Sequence, residues 1–398
     1  MNLSPNSITT PSQKGATRLE AIMQLDSKRS GLASFIARIP KNYITGLGKI
    51  LGYFLYFLDI PHRRTVLRNL QFIHTEWPRN PIHKLAKRIF QQLGITILEF
   101  LQMPYILREE LVSNVQIEGQ EIVQEALTKQ KGVVLISAHI GNWEIGWQIC
   151  PTYFQRPITG VAKKLRNVQL NRLVHNRRIR YGNRILYKKG ALPDMVQTLR
   201  QGEIVGLLMD ISRRFDGVEV KFLGRRATAT PVAALLALRY KCPIICAFSH
   251  RNTKGQMIIN IEPPVEIQRT HDLRNDLQIN TQLITDRLER AIQNYPEQWN
   301  WTLKRWKDFY PDLYPVSKKH KRHLKMKEKR NHSVQIECPI KKAASPSDDL
   351  VIIPRPQLEA KCFLRISCYG YHCKYKLMPG TTGLPYTHLE YNPETATS

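Results

Sequence analysis

One histidine and one acid stand at a spacing that suits proton transfer. His139-Ile140-Gly141-Asn142-Trp143-Glu144 follows directly on the apolar, β-branched run Val133-Val134-Leu135-Ile136-Ser137. An imidazole at the end of such a strand stands at the rim of a sheet, where α/β folds build their sites. The spacing does not put His139 and Glu144 on one face of a helix, because neighbours on a face lie three or four residues apart. Gly141 permits a turn between them, so the histidine belongs to a loop and the carboxylate to the first turn of the next helix. The carboxylate then accepts a hydrogen bond from the imidazole, fixes its tautomer and stabilises the imidazolium formed on proton abstraction. His139 becomes a general base for a hydroxyl, a step worth about 10²–10⁴-fold in rate. Taken alone, a histidine followed by an acid also fits an ordinary buried or capping residue.

Other residues add to this pair. Asp210 closes the apolar run Ile204–Met209, and an acid at a strand end can orient a sugar hydroxyl or an arginine. Arg178 lies in the basic stretch NRLVHNRRIRYG; its planar fork suits phosphate oxygens, and the plain alternative is one surface cation among several. Lys163 and Lys164 follow a further strand signal and can bind anions.

The elements that must position these groups read as an α/β domain. Short apolar runs at KGVVLISAH, PITGVAK, RILYKK, EIVGLLMD, CPIICAF and QMIINIE alternate with helical stretches near 191–200, 231–240 and 273–294. That alternation predicts a central, mainly parallel sheet flanked by helices, with the QMIINIE strand near its edge. The aromatic block Trp299, Trp301, Trp306, Phe309 and Tyr310 is read as core packing, with a membrane interface as the alternative.

Four segments follow. Residues 1–38 read as a flexible basic leader. Residues 39–61 contain the apolar stretch YITGLGKILGYFLYFLDI, short of the roughly 20 residues of a comfortable span, and read as a membrane-anchor or interfacial helix. An ordinary packed helix is the alternative. Residues 62–312 are expected to form one domain that carries the His139 site. Residues 313–398 form an extension whose fold does not follow from its sequence; within it, SKKHKRHLKMKEKR at 317–330 carries eight Lys/Arg against one Glu.

The 398 residues hold 60 Lys+Arg against 32 Asp+Glu, a net charge of +28, and 42% hydrophobic residues. That excludes a disordered chain and a polytopic membrane protein, and it asks for an acidic partner: nucleic acid, anionic lipid or an acidic carrier. No nucleic-acid-binding motif or interleaved aromatic platform is present, which weighs against nucleic acid. Seven cysteines do not make a complete disulfide framework. Cys242 and Cys246 read as core thiols, and the spacing of Cys362, Cys368 and Cys373 fits no common zinc pattern.

The motif His139-x-Gly141-Asn142-Trp143-Glu144 resembles the signature of the lipid A biosynthesis acyltransferase family, the lauroyl/myristoyl transferases, within the broader glycerolipid acyltransferases with a His-x4-acid motif. Further blocks occur in the family's order. They are Asn69-Leu70 after a basic run, Arg178-x-Arg180-Tyr181-Gly182, Asp210, Gly217 to Arg225 with Thr230-Pro231, and Pro296-Glu297-Gln298-Trp299-x-Trp301 followed by Lys304-Arg305-Trp306-Lys307. Two positions depart from it: Ile211 stands where glutamine is common, and Leu303 where histidine is usual. The resemblance implies a glycerolipid acyltransferase-like fold and transfer of a fatty acyl chain from an acyl carrier protein thioester to a glycolipid hydroxyl, first of all on a lipid A precursor. Acylation of another glycolipid or of a lysophospholipid, or a catalytically weakened scaffold of the same fold, are the alternatives. By position, His139 and Glu144 are catalytic, and Arg178, Asp210, Asn142, Lys163 and Arg225 bind substrate. No cofactor or metal is implied. Acyl carrier protein and anionic lipid are the expected partners, at the cytoplasmic face of the inner membrane.

Overall fold

A computed structural model describes residues 39–315, apart from 107, 189, 214–216 and 271, together with four short backbone strands in 353–387. The chain divides into two compact units, Met1–Val316 and Ser317–Ser398. In the first, helices α1 (Lys41–Leu58), α2 (Ile60–Ile73), α3 (Arg79–Gln102) and α4 (Arg108–Ser113) precede the alternating part. There follow β1 (Val115–Glu118), α5 (Gln120–Thr128), β2 (Val133–Ser137), α6 (Trp143–Phe154), β3 (Ile158–Ala162), α7 (Val168–Ile179) and β4 (Arg184–Tyr187). Then come α8 (Ala191–Arg200), β5 (Ile204–Leu208), the hairpin β6 (Val218–Phe222) and β7 (Arg225–Ala229), α9 (Val232–Tyr240), β8 (Ile244–Arg251), β9 (Met257–Ile261) and α10 (Leu273–Asn294).

Seven strands form one sheet in the order β1-β9-β8-β2-β5-β3-β4. Every neighbouring pair is parallel except β8 and β9. The expected mainly parallel sheet is therefore present, with helices packed against it. Along β2 the side chains alternate between two cores, as a doubly covered strand requires. Val134 and Ile136 join Leu70, Ile89, Ala233 and Leu288 on one face. Val133 and Leu135 join Val123, Ile145 and Ile149 on the other.

The expectation of a membrane anchor at 39–61 needs correction as to spanning: no helix among the described residues is long and apolar enough to cross a membrane. The segment folds as α1, stops at Asp59, and restarts as α2, whose first turn Asp59 caps by accepting from the His62 amide. One side of α1 lies against α3 at backbone contact: a Cβ on Gly48, Gly52 or Gly94 would collide with the facing main chain. Only residues without side chains permit that approach. The other side leaves Tyr43, Ile50, Phe54, Phe57 and Leu58 exposed, a stripe at helical spacing.

Trp299, Trp301 and Trp306 are buried, so the aromatic block packs the core as expected. Pro296 opens a short 3₁₀ turn, Pro296–Gln298, rather than a full helix. Cys242 and Cys246 are buried free thiols whose pKa values burial pushes up to about 11 and about 12. In the second unit, strands 353–354 and 386–387 pair antiparallel, as do 365–368 and 371–374. The leader at 1–38 and the polybasic run at 317–330 lie outside the described residues.

Candidate active site

Parallel register sets the site. Ser137 at the end of β2 pairs with Leu208 at the end of β5, and each chain continues two residues further, to His139 and Asp210. The two side chains therefore leave the same rim of the sheet side by side. Both Asp210 oxygens turn to the histidine: Oδ1 lies 2.8 Å from His139 Nδ1, and Oδ2 accepts from the His139 backbone N–H at 2.8 Å. Oδ2 also accepts from Trp299 Nε1–H at 2.8 Å. Asp210 is wholly buried, whereas the His139 side chain keeps 22% of its surface.

The hydrogen-bond pattern assigns the tautomer. A carboxylate can only accept, so Nδ1 carries a proton and Nε2 of the neutral ring carries a lone pair. Nε2 has no partner among the described residues. Burial pulls the His139 pKa down, but the charge and hydrogen bond of Asp210, helped by Glu144, outweigh it and hold the value above the ordinary one. Burial raises the Asp210 pKa in turn, and the opposing pull of His139 and Trp299 leaves it below the usual carboxylate range.

The expected partner of the imidazole was Glu144, and here the structure differs. Glu144, in the first turn of α6, accepts two hydrogen bonds from Arg178 of α7, at 3.0 Å from Nε and 2.5 Å from Nη2. This is a fork-to-carboxylate pair, with the Arg178 side chain 27% and that of Glu144 11% exposed. Glu144 reaches His139 through its field rather than through a hydrogen bond, while Asp210, expected to orient a hydroxyl or Arg178, takes Nδ1. The Trp143 ring meets the imidazole edge-on, 5.0 Å between centroids.

The turn between His139 and α6 is held on every side. The Gly141 N–H donates to the Gln298 carbonyl at 3.0 Å, and the Asn300 N–H donates to the His139 carbonyl at 2.9 Å. Ser249 Oγ–H donates to the Ile140 carbonyl at 2.8 Å. Gly141 has φ +58°, and a Cβ there would collide with the Ser249 carbonyl. Asn142, fully buried, caps α6 by accepting from the Ile145 N–H at 3.1 Å.

Of the residues expected to bind substrate, Asp210 bonds His139 directly and Arg178 lies close enough for its charge to act on the imidazole, whereas Asn142 is fully buried and its amide is taken up by the Ile145 N–H and Glu99. Lys163 is exposed, just past the end of β3. Arg225 sits at the head of β7 with its guanidinium over the Phe72 ring at 4.9 Å, which gives it a packing role. Ile211 is 37% exposed beside Asp210, and Leu303 is half-buried, its carbonyl accepting from Asn69 Nδ2. Trp299 belongs to the site although its sequence context spoke for the core, with a membrane interface as the alternative; an indole N–H aimed at a buried acid carries no local signature.

A mostly parallel α/β sheet presents, at its C-terminal rim, a carboxylate-held imidazole whose Nε2 is open to accept a proton. Residues 22–308 match the family of bacterial lipid A biosynthesis acyltransferases, and the chain belongs to that family. No curated protein matches it.

Proposed function

We propose that this acyltransferase moves a fatty acyl chain from an acyl carrier protein thioester to a hydroxyl of a lipid A precursor, with His139 as general base. The observation that carries the reading is the open Nε2 of an imidazole whose Nδ1–H is held by buried Asp210. Nε2 takes the hydroxyl proton, and the oxygen attacks the thioester carbonyl. The tetrahedral oxyanion then collapses to an ester as the carrier thiolate leaves and takes the proton from the imidazolium. Asp210 orients the ring and stabilises its charged form. Glu144 adds a second negative field and aligns Arg178, whose cation suits a phosphate of the acceptor or the developing oxyanion. No cofactor or metal enters this scheme.

Binding at the cytoplasmic face of the inner membrane is part of the proposal. The exposed stripe of α1 supports an interfacial position, and Arg64 on the exposed side of α2 suits anionic headgroups. An acidic carrier protein fits the net charge of +28. The test is transfer of a labelled acyl chain from its carrier to a lipid A precursor, wild type against His139→Ala. A loss of about 10²-fold or more in rate is expected. An unchanged rate removes His139 from the mechanism, and wild type without transfer to this acceptor removes the acceptor.

A further inference from the structure

Glu99 and Arg251 carry opposite charges into the interior, and neither is bonded to His139. The Arg251 side chain, at the end of β8, is 4% exposed, and that of Glu99, on α3, is 18% exposed. Burying an ion pair costs the hydration of both groups, a cost that apolar residues of similar volume avoid. What the pair touches accounts for its presence. Glu99 Oε2 accepts from Arg251 Nη2 and, at 2.5 Å, from Asn142 Nδ2. The Arg251 backbone is clamped by Gln298, with its N–H donating to Oε1 at 2.7 Å and its carbonyl accepting from Nε2 at 2.8 Å. The Gln298 carbonyl in turn takes the Gly141 N–H. Thr96, one turn before Glu99 on α3, donates to the Gly141 carbonyl at 3.2 Å. The links close a ring from Asn142 through Glu99, Arg251 and Gln298 to Gly141, and the peptide bond to Asn142 completes it.

We infer that Glu99 and Arg251 are positioning residues for acyl transfer, a buried ion pair that holds Asn142 and, through it, the turn between His139 and Glu144. The inference rests on the acyl-transfer reading of the His139 site. Its logic is the direction of the Asn142 amide. The Asn142 oxygen must face the Ile145 N–H to cap α6, so its NH₂ must face an acceptor. The Glu99 carboxylate oxygen accepts from both Asn142 and Arg251, which disfavours the flipped amide, and Arg251 fixes the oxygen that does so. Without the pair the amide is free to turn, the cap is lost, and the start of α6 moves relative to His139. A displacement of about 1 Å at such a site costs on the order of 10²-fold in rate.

The experiment uses the full chain carrying Glu99→Gln, Arg251→Lys, Arg251→Ala, Asn142→Ala and the double variant Glu99→Gln with Asn142→Ala. It measures kcat and KM for acyl transfer, with hydrogen exchange of the amides at 141–146. Glu99→Gln is expected to lower kcat by about 10–100-fold while KM for the acyl donor stays within about threefold. Arg251→Lys retains more activity than Arg251→Ala. The double variant is no slower than Asn142→Ala alone, because both changes cut one link. Wild-type kcat in folded Glu99→Gln, or losses that multiply in the double variant, overturns the inference. If Glu99→Gln fails to fold, the Arg251 pair of variants carries the same test. If the wild type transfers no acyl chain, the functional reading fails separately and exchange decides this one. Faster exchange confined to 141–146 in Glu99→Gln supports the pair, and unchanged exchange overturns it.

Discussion

Asn in place of Asp210 is the most informative single change, because the amide must choose which donors to satisfy. The carboxylate serves three N–H groups: His139 Nδ1 on Oδ1, and the His139 backbone and Trp299 Nε1 on Oδ2. With its oxygen toward Nδ1, the amide sets its NH₂ against two buried N–H donors and leaves them unpaired, at about 1–3 kcal/mol each. With its oxygen at the Oδ2 position, both donors keep an acceptor and the NH₂ faces Nδ1. The ring then answers by moving its proton to Nε2. Every group is paired in the second arrangement, so it wins by a few kcal/mol. The product is a folded protein whose imidazole has no free base at Nε2.

On the proposed mechanism, the loss of a free Nε2 predicts a fall in kcat of about 10²–10⁴-fold. A second signature lies in the pH profile. In the wild type the folded pKa of His139 stands above 6.5, so the rate rises with pH through that higher value as the ring loses its proton. Removing the Asp210 charge removes the largest influence that raises the pKa and leaves burial to lower it, so any residual activity has its acidic limb at lower pH than the wild type. Initial rates of acyl transfer at saturating donor, from about pH 5 to 9, measure both, with the thermal midpoint as a check on folding. A variant that keeps its rate within about threefold, with the limb unmoved, refutes the assignment of Asp210 as the holder of His139.

Two further outcomes follow from other parts of the molecule. Gly141→Ala adds a left-handed backbone cost of about 1–2 kcal/mol to a collision with the Ser249 carbonyl, so a thermal midpoint lower by several degrees and a disproportionate loss of activity are expected by calorimetry and transfer assay. The triple change Ile50→Ser, Phe54→Ser and Phe57→Ser on the exposed side of α1 is expected to leave stability within about 1 kcal/mol, yet to reduce co-sedimentation with anionic vesicles severalfold; unchanged sedimentation removes the interfacial role of that stripe.

Much of this architecture is legible in the sequence, for reasons of local physics. The stretches 191–200 and 273–294 carry their own helical signals, and β2, β3, β4, β5 and β8 are apolar runs bounded by polar turns. Val115–Glu118 went unread because four residues alternating with polar ones give little pattern. The hairpin from Val218 to Ala229 carries no clear strand signal, because charged residues interrupt its short apolar alternation. The partnership at the centre of the site was hidden for a different reason. His139 and Asp210 lie 71 residues apart and meet only because β2 and β5 are neighbours in the sheet, which no local pattern encodes. Glu144 looked the better partner because it is near in sequence, yet a bidentate arginine from α7 holds it. Glu99 and Arg251 are ordinary charges in the sequence, and their burial alone marks them.

The glycine contact between α1 and α3 has a mechanical consequence. With no side chains between the facing backbones at Gly48, Gly52 and Gly94, α1 has no room to roll or slide on its partner. The same α3 touches the turn after His139 through Thr96 and Glu99. The outer stripe of α1 and the turn after His139 are thus joined through a single helix, a short mechanical path between that exposed surface and the imidazole.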